Sequence, residues 1–89
     1  MGEKETLQKK MESELAKCES RLAVVKGKKG AEKLLKEIQG LEEELNACKF
    51  EIKGIERTAA ADLGVAEEHI VKRFESFRKK LDRTTLKFL

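Results

Sequence analysis

Apolar residues recur along the middle of this chain at alternating spacings of four and three, and charged residues occupy most of the positions between them. The repeat runs through residues 31–59, and its apolar members are Leu34, Ile38, Leu41, Leu45, Cys48, Ile52, Ile55 and Ala59. Such spacing places the apolar side chains in one narrow seam along an α-helix. A single helix cannot bury its own seam, so the pattern predicts that other helices pack against it.

One further helix is predicted on each side of the central one. The stripe of the first helix is Leu7, Met11, Leu15, Cys18, Leu22 and Val25, and that of the third is Ile70, Phe74, Phe77, Leu81, Thr84 and Phe88. Two glycines in the segment 26–30 permit a chain reversal, and Asp62-Leu63-Gly64 predicts a second break. We therefore expect helices over about residues 5–25, 31–60 and 65–88, within a single domain of residues 1–89.

The three stripes align without a gap when the chain is folded back about Lys28 and about Leu63. The pairs at the ends of these two registers are Leu22–Leu34, Met11–Leu45, Ile55–Ile70 and Ile38–Phe88. Short connections make neighbouring helices antiparallel, so the sequence predicts an all-α fold, an antiparallel coiled coil closed into an up-down-up three-helix bundle. Two alternatives stay open. The third helix could be displaced, leaving a hairpin that self-associates through its seam, or the first reversal could lie at Gly40.

The distribution of charge favours mutual packing of the three helices. Residues 1–30 hold eight Lys/Arg against five Asp/Glu, residues 31–64 five against eight, and residues 65–89 seven against four. The corresponding net charges are +3, −3 and +3. An acidic central helix between two basic ones supports this pairing, because complementary charges along a seam select partner and orientation.

The predicted core contains Leu15, Leu22, Leu34, Ile38, Leu41, Leu45, Ile52, Phe74, Phe77 and Leu81. Cys18 and Cys48 also fall in the stripes, with no CxxC motif or histidine beside them, as expected for small buried side chains in a reducing compartment. No apolar run approaches the roughly 18–20 residues of a membrane span. We therefore expect a cytoplasmic protein whose contact with membranes is peripheral at most.

The sequence predicts no catalytic residue, no cofactor-binding residue and no metal ligand. His69 is the only histidine, so no catalytic triad can be assembled, and Glu42, Glu43 and Glu44 splay around the helix axis instead of converging on one ion. The third helix carries a basic set that makes acidic lipid or nucleic acid an alternative partner. This set is Lys72, Arg73, Arg78, Lys79, Lys80, Arg83 and Lys87. Nucleic acid is disfavoured because surface aromatic residues for base stacking are missing.

Several apolar residues fall outside the stripes: Val24, Leu35, Phe50, Val71, Leu86 and Leu89. Phe50 is the most informative of them because it lies nearly opposite the line from Cys48 to Ile52. An off-seam phenylalanine on a highly charged helix is typical of a contact with another protein. The sequence thus favours a non-enzymatic module for protein–protein interaction.

The segment Gly30-Ala31-Glu32-Lys33-Leu34-Leu35 resembles the G-A-E-x-L-L element of HR1 repeats. These repeats are antiparallel helical hairpins of Rho effector kinases, rhophilin- and rhotekin-like proteins and F-BAR scaffolds. The likeness covers about residues 7–60 and places the reversal near Gly40. It implies binding of a Rho-family GTPase on a helical surface. The candidate contact residues are off-seam apolar residues with a charged rim: Lys33, Leu35, Lys36 and Phe50.

Overall fold

The computed structural model describes residues 2–88, which form three packed α-helices. The helices are α1 (Glu3–Lys26), α2 (Leu35–Gly54) and α3 (Leu63–Leu86), and short 3-10 segments occupy Ala31–Leu34, Ile55–Arg57 and Ala60–Asp62. Each helix contacts the other two, in a body measuring 45 × 19 × 16 Å. The described part of the chain is therefore the predicted all-α three-helix bundle.

The core lies along the shared axis of the bundle and is built from the predicted stripes. Its buried apolar residues are Leu7, Met11, Leu15, Cys18, Leu22, Val25, Ala31, Ile38, Leu41, Leu45, Cys48, Ile52, Ile55, Leu63, Ile70, Phe74, Phe77 and Leu81. Two members of the predicted central seam differ. Leu34 is only partly buried, because it ends a 3-10 segment, and Ala59 is exposed, because the chain is extended there.

The first reversal follows α1 at residues 27–30, and Gly40 lies inside α2, among helical residues. Gly30 has φ +94°, a left-handed backbone conformation that residues with a side chain rarely adopt. It is followed by a 3-10 segment, so α2 begins at Leu35 and not at residue 31 as predicted. The alternative that places the first reversal at Gly40 is therefore wrong.

The predicted second break at residues 62–64 is wrong, because Leu63 and Gly64 form the first turn of α3. The chain is instead extended at Thr58 (ψ 134°) and Ala59 (ψ 146°), and α2 ends at Gly54, before the predicted residue 60. The seam changes phase at this point. Because α3 packs antiparallel to α2, the chain must reverse between them, and the two extended residues provide this reversal while Ile55 and Leu63 on either side of it are both buried.

Ion pairs along the groove between α2 and α3 agree with the predicted register of these helices to within two residues. Three glutamates at intervals of seven on α2 meet three basic residues at intervals of seven on α3. The pairs are Glu51–Arg73 (2.6 Å), Glu44–Lys80 (2.6 Å) and Glu37–Lys87. Such a ladder is possible only between antiparallel helices in one alignment, so it selects this register over shifted ones.

The predicted register of α1 against α2 is wrong by roughly two to three helical turns, at 3.6 residues per turn. Gln8 Nε2 donates to Glu56 Oε1 at 3.4 Å, and Lys26 pairs with Glu42. Folding about Lys28 would have placed Gln8 opposite residue 48. The difference arises because residues 27–34 are all used in the reversal, which moves its centre further along the chain.

The remaining pair of helices, α1 and α3, runs parallel, as an up-down-up bundle requires. Ion pairs again follow the contact: Lys10–Glu67 at 3.3 Å, Glu14–Arg78 at 2.7 Å and Arg21–Asp82 at 2.8 Å. Helix α3 thus covers the seam of the α1–α2 hairpin along its length.

Candidate functional site

Phe50 projects from the outer face of α2 and is 79% exposed. Its neighbours on the helix, Cys48 and Ile52, are buried in the core on the opposite side. This arrangement follows from the helical period, since two residues of separation turn a side chain by about 200° around the axis. A phenyl ring so far out of the core contributes little to folding, and it is free to contact another molecule.

A groove of about 410 Å³ lies beside Phe50, where the end of α2 faces the beginning of α3. Its lining residues are Phe50, Glu51, Gly54, Thr58, Asp62, Val65, Ala66, His69 and Ile70. Val65, on the α3 side, is 68% exposed. Two large apolar side chains from different helices therefore border one open groove.

The break between α2 and α3 forms the floor of this groove. The Thr58 hydroxyl donates to the Gly54 carbonyl at 2.9 Å and the Thr58 amide donates to the Ile55 carbonyl at 3.1 Å, which fixes the end of the helix. Gly54 has no side chain, and Ala66 has a small one. The groove is therefore open above them, between the larger Phe50 and Val65 side chains.

The side of the groove towards the ladder is charged and internally paired. Glu51 Oε1 lies 2.6 Å from Arg73 Nε and 3.2 Å from His69 Nδ1. Because Glu51 is occupied by these two partners from α3, it holds the wall of the groove in place. The groove offers apolar contact in its centre and polar contact at its edge, as protein interfaces do.

The four candidate contact residues do not form one patch. Lys33 lies in the 3-10 segment before α2, Leu35 and Lys36 lie in the first turn of α2, and Phe50 lies near the other end of the helix. Leu35 and Phe50 are about 22 Å apart along the helix at about 1.5 Å per residue. The structure thus separates them into two surfaces, and it adds Val65 to the one around Phe50.

Val65 is not among the predicted contact residues because the pattern predicts it at the very start of the third helix. Val65 borders the groove only because of the way α3 packs against α2, and that packing depends on the position of the break between the two helices. The other off-seam residues are spread more widely: Val24, Leu35 and Leu86 are exposed, Val71 packs partly against the core, and Leu89 lies outside the described residues.

Most basic residues of α3 have ion-pair partners. Arg73, Arg78, Lys80 and Lys87 pair with glutamates of α1 and α2, and Lys72 pairs with Glu68 on its own helix. In the described residues, Lys79 and Arg83 are the two basic residues of the predicted basic set without an ion pair. Most of the positive charge on α3 is thus paired with carboxylates of the bundle itself.

The two cysteines are free and buried in the core. Burial raises the pKa of the Cys48 thiol to about 11, with a smaller contribution from the negative charge of Glu51, and burial also raises the pKa of Cys18. Both side chains are therefore unreactive thiols at neutral pH. No group of three His, Cys, Asp or Glu residues within the described chain is arranged to hold a metal ion.

No family model matches this chain, and neither does any curated protein or solved structure. Among residues 2–88, no helix combines the length and the apolar character needed to cross a bilayer.

Proposed function

We propose that this chain is a non-enzymatic protein-interaction module that contacts its partner through Phe50 and the groove between Phe50 and Val65. The observation that carries the proposal is the exposure of Phe50 in a bundle whose other three phenylalanines lie in or against the core. Exposed aromatic side chains that border a groove are the usual anchors of protein–protein binding.

The partner class that we propose is a Rho-family GTPase. Its basis is the resemblance of residues 30–35 to the HR1 element, and the exposed helical surface around Phe50 supports it by offering a rigid contact face. A preference for the GTP-bound state requires contact with segments that the γ-phosphate orders. The groove can provide that contact because its apolar residues stand on two helices fixed by the core and by the Glu51–Arg73 pair.

A pull-down with the full chain tests this proposal. Rho-family GTPases are loaded with GDP or with a non-hydrolysable GTP analogue and offered to the immobilised protein. We expect retention of the GTP-bound form, loss of retention with Phe50→Ala or Val65→Ala, and unchanged retention with Val24→Ala, which alters a similarly exposed residue near the opposite end of the bundle. Equal retention of both nucleotide states, or of neither, rules out this partner class.

Self-association through the seam is the less favoured alternative. In an open hairpin, Ile38, Leu45 and Ile52 would be available to a second copy, whereas here they are buried within one chain. A dimer through the seam would have to displace α3 and break the ladder of ion pairs between α2 and α3.

A further inference from the structure

The two ends of the bundle differ in charge. At the end that we call the turn end, residues 24–37 and 83–88, α1 stops, α2 starts and α3 stops. This end carries seven Lys/Arg against two Asp/Glu, whereas residues 3–12 and 49–67 at the other end carry six against seven. The excess positive charge of the molecule is therefore concentrated at the turn end.

The basic residues at the turn end are mostly available to a ligand. Lys26 and Lys87 pair with Glu42 and Glu37. The other five lie on the surface without an ion pair among the described residues: Lys28, Lys29, Lys33, Lys36 and Arg83. Glu32 is the one carboxylate of the turn end outside these pairs, so the unpaired charge there is strongly positive.

Exposed aliphatic side chains occur at the same end. Leu35 (58% exposed) and Leu86 (64%) lie in the first turn of α2 and the last turn of α3, and Val24 lies in the last turn of α1. Leu35 also lines a hollow together with Lys26 and Lys28. The Glu37–Lys87 pair holds the end of α3 against the start of α2, which keeps the apolar residues of both helices near the lysines.

We propose that the turn end binds peripherally to membrane surfaces that contain anionic lipids. Unpaired lysines are attracted by the negative surface potential, and aliphatic side chains beside them enter the boundary between headgroups and acyl chains. Neither group suffices alone, since a polybasic patch lacks an anchor and three aliphatic side chains bury little area. Because the lysines and the aliphatic side chains lie at the same end of a rigid bundle, that end provides both electrostatic attraction and an apolar anchor.

The same chemistry argues against nucleic acid as the ligand of this end. Binding of single strands relies on aromatic side chains that stack on bases. Phe50, the exposed aromatic residue of the described chain, lies at the opposite end, and Phe88 at the turn end packs against the core. Aliphatic residues among lysines provide no such stacking. The surface therefore fits a lipid interface better than a polynucleotide.

Cosedimentation of the full chain with vesicles tests the proposal. The probes are phosphatidylcholine vesicles containing phosphatidylserine, with pure phosphatidylcholine vesicles as the reference. We expect binding to the anionic vesicles that weakens steeply with salt. Replacing Lys28, Lys29, Lys33 and Lys36 with glutamine should weaken it at least about 100-fold, since each lysine near an anionic surface contributes about fivefold. The double variant Leu35→Asn, Leu86→Asn should also bind anionic vesicles more weakly. It should bind inorganic polyphosphate, a soluble anion without an apolar phase, as well as the parent does.

A matched control removes the same number of charges from the other end, with Lys4, Lys49, Lys53 and Arg57 all replaced by glutamine. This variant should bind anionic vesicles within about twofold of the parent. Circular dichroism verifies that both variants keep their helices. An equal loss in both variants, or no binding to anionic vesicles, overturns the proposal. Tighter binding to single-stranded RNA that is unchanged by the Leu35 and Leu86 substitutions overturns it as well.

Discussion

Phe50 and Phe77 have the same side chain on neighbouring helices, but Phe77 is completely buried and Phe50 is almost fully exposed. Phe77 belongs to the stripe of α3 and packs in the middle of the core, against the seam of α2. Phe50 lies on the outer face of α2, at the edge of the groove between α2 and α3. The difference in burial predicts that one residue serves stability and the other is available for binding.

Truncation of these two residues should therefore affect stability very differently. Phe77→Ala, like Ile52→Ala, should lower the free energy of unfolding by about 2–5 kcal/mol, because each leaves a cavity in a core that cannot collapse fully. Phe50→Ala should change it by less than about 0.5 kcal/mol. Urea unfolding followed by circular dichroism measures all three. Similar midpoints for Phe77→Ala and the parent would show that the core is assigned incorrectly.

The buried thiol of Cys48 makes stability depend on pH in the alkaline range. Its pKa is raised to about 11 from an ordinary value of 9.0, so the folded state holds the thiol proton more tightly than the unfolded state does. The resulting stabilisation is complete below pH 9.0 and is lost as the pH rises towards and past 11. Cys48→Ala lacks this group and should lose stability less steeply over that interval in urea unfolding. Parallel declines would contradict the assignment.

At the scale of the elements, the periodic stripes are sufficient to predict three helices, the α2–α3 register and most of the buried positions. The stripes do not predict where the helices end or how much chain each connection uses. Residues 59–61 are three alanines, which favour helix strongly, yet Ala59 is extended because the chain must reverse there for α3 to pack antiparallel to α2. The α1–α2 register failed for a related reason, since residues 31–34 form a 3-10 segment that lengthens the first reversal, and the stripe does not distinguish this segment from the helix that follows.

The candidate site was predictable only in part for the same reason. The exposure of Phe50 follows from its position relative to the seam, which the sequence displays. The distance between Leu35 and Phe50 also follows from helical rise, and it separates two residues that the prediction grouped together. The groove with Val65 depends on where α3 starts, and the sequence signal at Gly64 misplaced that start by two residues.

Two glycine substitutions test the position of the first turn. Gly30→Ala should destabilise the protein by about 1–2 kcal/mol, because an alanine at φ +94° is strained. Gly40→Ala should stabilise it by about 1 kcal/mol, since the residue is inside α2 and an added Cβ would meet no atom within 4 Å. Thermal unfolding of both variants decides the matter. A stabilising Gly30→Ala together with a destabilising Gly40→Ala would instead place the reversal at Gly40.

At the scale of the whole molecule, the bundle closes its core within one chain and leaves different surfaces at its two ends. Phe50 and Val65 border a groove at one end, and unpaired lysines with aliphatic residues mark the other. The molecule is 45 Å long, so both surfaces can be occupied at once. The two contacts that we propose, one with a protein and one with a membrane, therefore use different residues.

Closure of the core predicts that the chain is a monomer whose helical content is independent of concentration. An open hairpin would lose helix on dilution, because its seam would be covered only by a second copy. Sedimentation equilibrium together with circular dichroism over a dilution series measures this. A mass that rises with concentration, accompanied by a gain of helix, would contradict the closed bundle.

The central claim is that Phe50 is a binding residue that folding does not need, and its most direct test is the affinity of Phe50→Ala for a GTP-bound Rho-family GTPase by titration calorimetry. We predict that Kd rises at least about fivefold, a loss of more than about 1 kcal/mol, while the melting temperature stays that of the parent. Val24→Ala, measured beside it, should leave both quantities unchanged. An unchanged Kd for Phe50→Ala, or a weakening matched by a fall in melting temperature, would contradict the claim.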